Sequence, residues 1–525
     1  MSRIPLRIGA TVAVAAAAAL SFTPVVHAAP KVSPACDTRV NNTHAKLMEC
    51  ITLEGVREHQ AALQSIADEN GGNRAAGTPG YDASVAYVVD KMEAAGYDVT
   101  LDEFPFTYLA PATLQQLAPT SAEYETGPYT GTGYGSVTGA VTPVDINLAM
   151  PRANTSGCEA ADFAGFTAGN IALVQRGTCP FAAKAANAQA AGASAVIIFN
   201  QGNDPTREGL IVGSLVPGAP ISIPVVGASF ADGQALSQPG SSAYINVPEP
   251  ELITQTNVIA QSKWGNPSNV VMAGAHLDSV QAGPGINDNG SGSAAILEVA
   301  EQMAKVKPTN AVRFAWWGAE ESGLVGSNEY VAGLSEAEKD KIALYLNFDM
   351  VGSPNHVFFV YDGDDSDKTG AGAGPEGSAQ IEKTFEAFYT RVGEPFKGTD
   401  FSGRSDYGAF IANGIPSGGL FTGAEGVKTA DEAALWGGTA GQQYDPCYHL
   451  ACDTYANNND HALDVNSDAI GFSVLQYAMN TSDINGLPGK GNFPVLSGAK
   501  SPAAGANLTG GGGLHDHDHA PTHTE

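Results

Sequence analysis

Residues 270–300, VVMAGAHLDSVQAGPGINDNGSGSAAILEVA, decide how this chain is read. Val270, Val271 and Met272 form an apolar run of strand character, and residues 293–305 have the spacing of a helix. Between them a glycine- and asparagine-rich connection carries His276, Asp278 and Asp288. A surface turn is one reading, because glycine and asparagine favour turns. The other is a strand–loop–helix unit whose loop gathers polar groups at the strand's carboxyl end, where open α/β sheets bind ligands.

Working outward, the alternation continues. A strand over 312–317, a helix from Gly323 and a strand over 344–349 follow the helix; upstream come helices over 56–70 and 82–95 and a strand over 97–104. This pattern predicts an α/β fold, a mostly parallel central sheet flanked by helices. From 111 to 250 the composition shifts to Thr, Gly, Pro and Val with few charges. Short strands are expected there over 141–149, 170–174, 195–199 and 221–226, with one Ala-rich helix over 182–191. With 525 residues, the chain exceeds one ordinary domain. We therefore read 111–250 as a β-rich domain inserted into a discontinuous core made of 29–110 and 251–486.

The ends read differently. Arg3 and Arg7 precede an apolar run over 8–20 and a small-residue site ending at Ala28, the pattern of a cleaved export signal over 1–28. Residues 487–525, closing in GGGGLHDHDHAPTHTE, read as a disordered tail. The six cysteines are even in number, which in an exported chain favours disulfides. Their clustering suggests Cys36–Cys50, Cys158–Cys179 and Cys447–Cys452, although six cysteines allow 15 pairings. A net charge of −29, from 26 basic and 55 acidic residues, argues against nucleic acid or an anionic membrane as partner. It is compatible with holding cations.

The strand ends are unusually acidic. RFAWW leads into Glu320 and Glu321, and ALYLNFDM ends in Asp349. Each has a plain reading: Asp288 as a helix cap, Glu320 and Glu321 as first-turn carboxylates, His449 in DPCYHLACDT as a surface histidine. Asp349 resists one, because a carboxylate within an apolar strand must be paired or bind a cation. Several carboxylates converging on one sheet edge repel, and a divalent cation resolves this. Imidazole and carboxylate donors suit Zn²⁺. The donors are too many for one tetrahedral ion and match two ions sharing a carboxylate.

AHLDSV, GINDNGSG, WWGAEE, NFDMVG and DPCYH, in this order, resemble the secreted double-zinc aminopeptidases of the Streptomyces leucine aminopeptidase and aminopeptidase Y type. NGGNRAAGTPGY, GRSDYGAF and GLFTGAE add to the match, which covers roughly 50–105 and 255–485. The resemblance implies one zinc on His276 and Asp349, another on Glu321 and His449, and Asp288 bridging. It makes Asp278 the orienter of His276, Glu320 the general base and Tyr448 the donor to the oxyanion. Glu320 and Asp349, with backbone near Arg404, would hold the substrate's free α-amine, and Phe421 and Met350 would line an apolar pocket. The insertion resembles a protease-associated domain, with Cys158–Cys179 as its disulfide and a role as lid or specificity element.

Two departures stand out. Tyr407 replaces a histidine frequent in relatives. Some relatives hold calcium near the segment with Asp464 and Asp468, but its N-terminal acidic partner falls on Cys50; calcium stays an alternative cofactor. The expected protein is a secreted monomer acting on peptides or proteins with a free N-terminus. Rival readings are a zinc carboxypeptidase of the glutamate-releasing type, a non-catalytic receptor-like homologue and a one-zinc glutaminyl cyclase. The first would need clustered arginines, the second broken ligands, and the third would not need the full donor set.

Overall fold

The computed structural model describes residues 35, 36 and 38–497. The export signal and most of the tail lie outside them. Eight strands form the main sheet, in the order Asp98–Tyr108, Glu251–Gln261, Asn310–Trp317, Asn266–His276, Ile342–Phe348, Ser417–Phe421, Phe359–Tyr361 and Lys397–Thr399. The middle four run parallel, with antiparallel pairings toward both edges. The chain goes from Asn266–His276 to one neighbour, Asn310–Trp317, and then to the other, Ile342–Phe348. That reversal creates a crevice at the carboxyl ends, and His276 is the last residue of the strand where it occurs.

Both faces of the central strands are covered, so they read as unbroken apolar runs. Val271, Ala273 and Ala275 face a large core closed by the helices Leu53–Glu69, Pro79–Ala95, Gly290–Met303, Ser378–Val392 and Asp460–Met479. Val270 and Met272 face a smaller core with Trp317, Tyr330, Tyr345 and Phe410. Among the described residues no helix is long and apolar enough to cross a membrane.

Residues 113–247 build a second sheet of seven strands with its own apolar clusters. Its helix spans Phe181–Ala190 and its strands include Ile171–Gln175 and Ala195–Phe199. Two expected strands shift. The one expected over 141–149 is Gly135–Pro143, ended by Pro143 and by Asp145 at φ 44°. The one expected over 221–226 is Val225–Ala228, because Pro224 has no N–H to give a ladder. All six cysteines are paired, as 36–50, 158–179 and 447–452.

The order extends further than the expected boundary at 487. Phe493 is 2 % exposed and packs edge-on against His44, and Asn480 and Gln476 donate to the carbonyls of Phe493 and Pro494. Composition pointed to disorder, whereas one buried aromatic ring ties this stretch to the core.

Candidate active site

The strand Asn266–His276 delivers His276 at its last position, and the helix Gly290–Met303 begins two residues after Asp288. Asn289 caps that helix through Gly292 N–H, and the Asp288–Asn289 peptide is cis. Asn310–Trp317 leads through Gly318 and Ala319 to Glu320 and Glu321; Ile342–Phe348 is followed at once by Asp349. The loop closed by Cys447–Cys452 brings in Tyr448 and His449. Ala319, Met350 and His449 all have left-handed backbones, at φ 56°, 48° and 57°. Such positions are uncommon outside glycine and cluster at functional sites.

These side chains converge. His276 Nε2 lies 3.2 Å from Asp288 Oδ1 and 3.3 Å from Asp349 Oδ1. His449 Nε2 lies 3.2 Å from Asp288 Oδ2 and 2.9 Å from Glu321 Oε2. The two oxygens of Asp288 thus face two different imidazoles. Donors held about 2.0–2.2 Å from one tetrahedral ion stand roughly 3.3–3.6 Å apart, close to these spacings. Glu321 Oε1 is buried without a hydrogen-bond partner. The donor set and its spacing therefore fit divalent zinc.

Electrostatics point the same way. Burial, with Asp349 adding its charge, pushes the Glu320 carboxyl well above its ordinary range in spite of His276. Burial and Asp288 bring Glu321 to about 7. Burial would lower both histidines, yet hydrogen bonds to Asp288 and Glu321 raise His449 to about 10, and Glu320 and Asp349 hold His276 far above 6.5. Buried carboxylates crowded against two imidazoles either retain protons or take up a cation, and cation binding releases the protons.

Asp278 does more than the sequence suggested. Its carboxylate accepts Glu320 N–H at 3.2 Å and Glu321 N–H at 3.3 Å, pinning the turn that carries both glutamates. It also stands 3.6 Å from His276 Nδ1, which is nearer the backbone oxygen of Asp278, at 3.1 Å. Arg404 is not a free cation: it donates to Glu425 at 2.7 Å and to Tyr448 Oη at 3.1 Å. Tyr407 is buried, accepts Gly403 N–H at 2.9 Å and packs on Tyr361 and Phe401. Met350, Phe421 and Tyr361 line the cleft beside the acidic cluster.

Several contributors escaped sequence reasoning. A relay runs from Trp317 Nε1 to Tyr345 Oη, Asn347, Ser405 and finally Asp349 Oδ2, the last step 2.6 Å. Asp453 accepts Asn287 N–H and Asp288 N–H at 2.8 and 2.9 Å, and burial beside Asp445 raises it to about 8. The wholly buried Arg74 donates to the carbonyls of Leu277, Pro284 and Gly285, holding the loop between His276 and Asp288. Signals existed for two of these. Arg74 lies within NGGNRAAGTPGY, and Asp445 and Asp453 flank the short disulfide loop.

The supposed calcium segment offers less. Burial raises Asp464 and brings Asp468 to about 7, but among the described residues no group of three His, Cys, Asp or Glu donors forms around them. Cys50, at the partner position, is bonded to Cys36.

The switch-point crevice, lined by two imidazoles and several carboxylates, is a candidate metal centre. Comparison with known proteins gives the family. Residues 257–474 match the model of Peptidase family M28, and residues 137–236 match the PA domain. An aminopeptidase of Pseudomonas aeruginosa is 50 % identical over 456 residues, 85 % of this chain and 84 % of that protein. The "Probable lipoprotein aminopeptidase LpqL" of Mycobacterium tuberculosis is 44 % identical over 446 residues, 83 % of this chain and 87 % of that one. Among solved structures, BSAP, a zinc aminopeptidase from Bacillus subtilis, superposes with a TM-score of 0.58 at 26 % identity, over 81 % of this chain and 94 % of that one. The chain belongs to Peptidase family M28.

Proposed function

We propose that this enzyme is secreted and removes apolar residues from the free N-termini of peptides and proteins, with two zinc ions in the crevice. His276 and Asp349 would hold one, Glu321 and His449 the other, and Asp288 would be shared. The observation that carries this reading is that the two oxygens of Asp288 each stand 3.2 Å from a different imidazole. Bound zinc supplies Lewis-acid polarisation of the scissile carbonyl and lowers the pKa of the attacking water.

The remaining work falls to this chain's side chains. Glu320 stands outside the two closest donor pairs, 3.9 Å from His276 Nε2. From there its carboxylate accepts the proton of the attacking water and passes it to the leaving amine. Asp278 fixes where that carboxylate stands. Tyr448 Oη receives a hydrogen bond from Arg404, so its own proton is left for the developing oxyanion. Glu320 and Asp349, with the backbone near Arg404, take the substrate's α-amine, and Met350 and Phe421 receive the first side chain.

One observation favours this over the carboxypeptidase reading, and another over a lipid-anchored form. Arg404 is the one arginine lining the described cleft and is already engaged by Glu425 and Tyr448, so no arginine cluster awaits a terminal carboxylate. All six cysteines are in disulfides, so none is free to carry a thioether-linked lipid, which supports a secreted form over an anchored one. The test is hydrolysis of Leu-p-nitroanilide against a dipeptide ending in Glu, with zinc analysis beside it. We expect the first substrate to be cleaved, about two cleft zinc ions per chain, and Glu320→Gln to keep the metal while losing several orders of magnitude in kcat. Failure on Leu-p-nitroanilide sinks the aminopeptidase assignment, and a fully active Glu320→Gln removes the base.

A further inference from the structure

Away from the crevice, His59 on Leu53–Glu69 meets Glu298 and Glu301 on Gly290–Met303, and Pro79–Ala95 closes the group with Tyr87 and Lys91. His59 is 2 % and Glu298 4 % exposed, while Glu301 sits at the rim. One donor atom from each of the three lies within 4.8 Å of the others.

The hydrogen bonding here is incomplete. His59 Nδ1 lies 2.7 Å from Tyr87 Oη. Its Nε2 is buried without a partner: the nearest carboxylate oxygens, of Glu301 and Glu298, are 3.6 and 3.8 Å away, beyond hydrogen-bond reach. With Nδ1–H donated to Tyr87, the Nε2 lone pair of a neutral His59 faces two carboxylates, a repulsion that a metal cation or a proton between them relieves. Tyr87 then plays the part of the group that fixes a ligand histidine's tautomer. The opposite tautomer leaves a buried N–H unsatisfied instead.

Space and charge agree. A Cβ at Gly55 would lie 2.6 Å from the Glu298 carboxylate, so the glycine makes room for a buried acid. Burial, with Glu301 beside it, lifts Glu298 to about 7, the mark of a carboxyl lacking a counter-charge. Lys91 reaches Glu301 Oε1 at 3.5 Å and Glu58 at 3.9 Å, and pairs with neither His59 nor Glu298. Donors 3.6–3.8 Å apart can share an ion with bonds of about 2.0–2.2 Å opened somewhat beyond the tetrahedral angle.

We propose that His59, Glu298 and Glu301 form a separate structural site for a divalent ion of the zinc class. One imidazole nitrogen favours zinc over calcium or magnesium, which prefer oxygen alone. Two carboxylates balance its charge, and water completes the coordination at the open rim. The ion pins together two helices, Leu53–Glu69 and the one that starts beside Asp288.

Equilibrium dialysis of chelator-stripped full-length protein against micromolar zinc chloride, followed by elemental analysis, tests this. His59→Phe keeps a ring against Tyr87 without a donor nitrogen, and Glu301→Gln changes only the rim. Each variant is expected to bind one ion fewer per chain than the wild type, with kcat/KM on Leu-p-nitroanilide unchanged after reloading. Because the readout is a difference, it holds whatever number of ions the crevice or the His-rich tail binds. If His59→Phe loses activity through misfolding, Glu301→Gln carries the comparison. Equal zinc in the wild type and the folded variants overturns the proposal and leaves the cluster an ion pair.

Discussion

Tyr448 shows how the function of a residue depends on what its neighbours leave free. Arg404 donates to its oxygen at 3.1 Å, and burial, with Asp288 and Glu321 close by, holds its hydroxyl far above the usual phenol range. With its oxygen already accepting from Arg404, the hydroxyl proton is the part left to donate outward. Tyr448→Phe should lower kcat by about 10²–10³-fold, the scale of one oxyanion donor, while KM stays nearly constant. Steady-state kinetics on Leu-p-nitroanilide measure the split, and a loss confined to KM would make Tyr448 a binding group instead. The candidate metal donors were legible in the sequence because each sits in a short motif: His276 and Asp349 at strand ends, Asp288 before a helix, Glu321 in the turn after a strand and His449 inside a disulfide loop. The roles of Ser405, Arg74 and Asp453 were not, even where a motif marked the residue, since each acts on a partner distant in sequence that only the folded chain brings near: Ser405 on Asp349, Arg74 on Gly285, Asp453 on Asp288.

At the scale of elements, the helix Gly290–Met303 and the strand Ile342–Phe348 are clamped where they carry Asp288 and Asp349. Asn289 Oδ1 accepts the N–H groups of Gly292 and Met350, and its amide donates to Phe348 O. A Cβ at Gly292 would stand 2.2 Å from Phe348 O, so this glycine permits the close approach. Gly290 is less constrained, its nearest neighbour being Gly285 O at 3.0 Å. Gly292→Ala should push helix and strand apart, cost about 1–3 kcal/mol as overpacking does, and quicken zinc loss to a chelator. Urea titration and a chelator time course check both, and an unchanged off-rate would show that the clamp does not set the site. The order and type of the core elements followed from hydrophobic periodicity, but their ends obeyed local geometry. The helix expected from Gly323 begins at Val325, because Gly323 and Leu324 have left-handed backbones, at φ 99° and 59°.

For the whole molecule, the buried His356 and the half-buried His44, both outside the crevice, resist protonation and so weaken the fold in acid. Burial, then nearby positive charge, lowers His44 and His356 to about 4. The unfolded chain binds these protons near pH 6.5, so between about 6.5 and 4 it holds more protons than the native state. The contribution of these two histidines is therefore full above that window and falls as pH drops through it. Raised buried carboxyls such as Asp453 and Asp468 act in the opposite sense, so the test is a difference: between pH 7 and pH 5 the wild-type urea midpoint should fall relative to that of His356→Phe, placed against Phe358. A gap between the two proteins that does not change with pH would contradict the assignment.

The inserted unit invites a larger cut. Tyr108 pairs with Glu251 at the end of an antiparallel ladder that begins with Asp98 opposite Gln261, so the chain leaves and re-enters the core at adjacent positions. Antiparallel neighbours need only a short hairpin to connect them. The apolar clusters of the insertion contain only its own residues, and none of the residues lining the described cleft comes from it. Replacing residues 109–250 by a short turn should therefore leave a folded core with its crevice zinc and with kcat on Leu-p-nitroanilide within a few-fold of the parent. If the insertion acts as a lid or specificity element, KM for long peptides should change while the small substrate is unaffected. A folded, zinc-loaded core inactive on Leu-p-nitroanilide would instead make the insertion part of the catalytic site, because substrate this small reaches no further than the crevice.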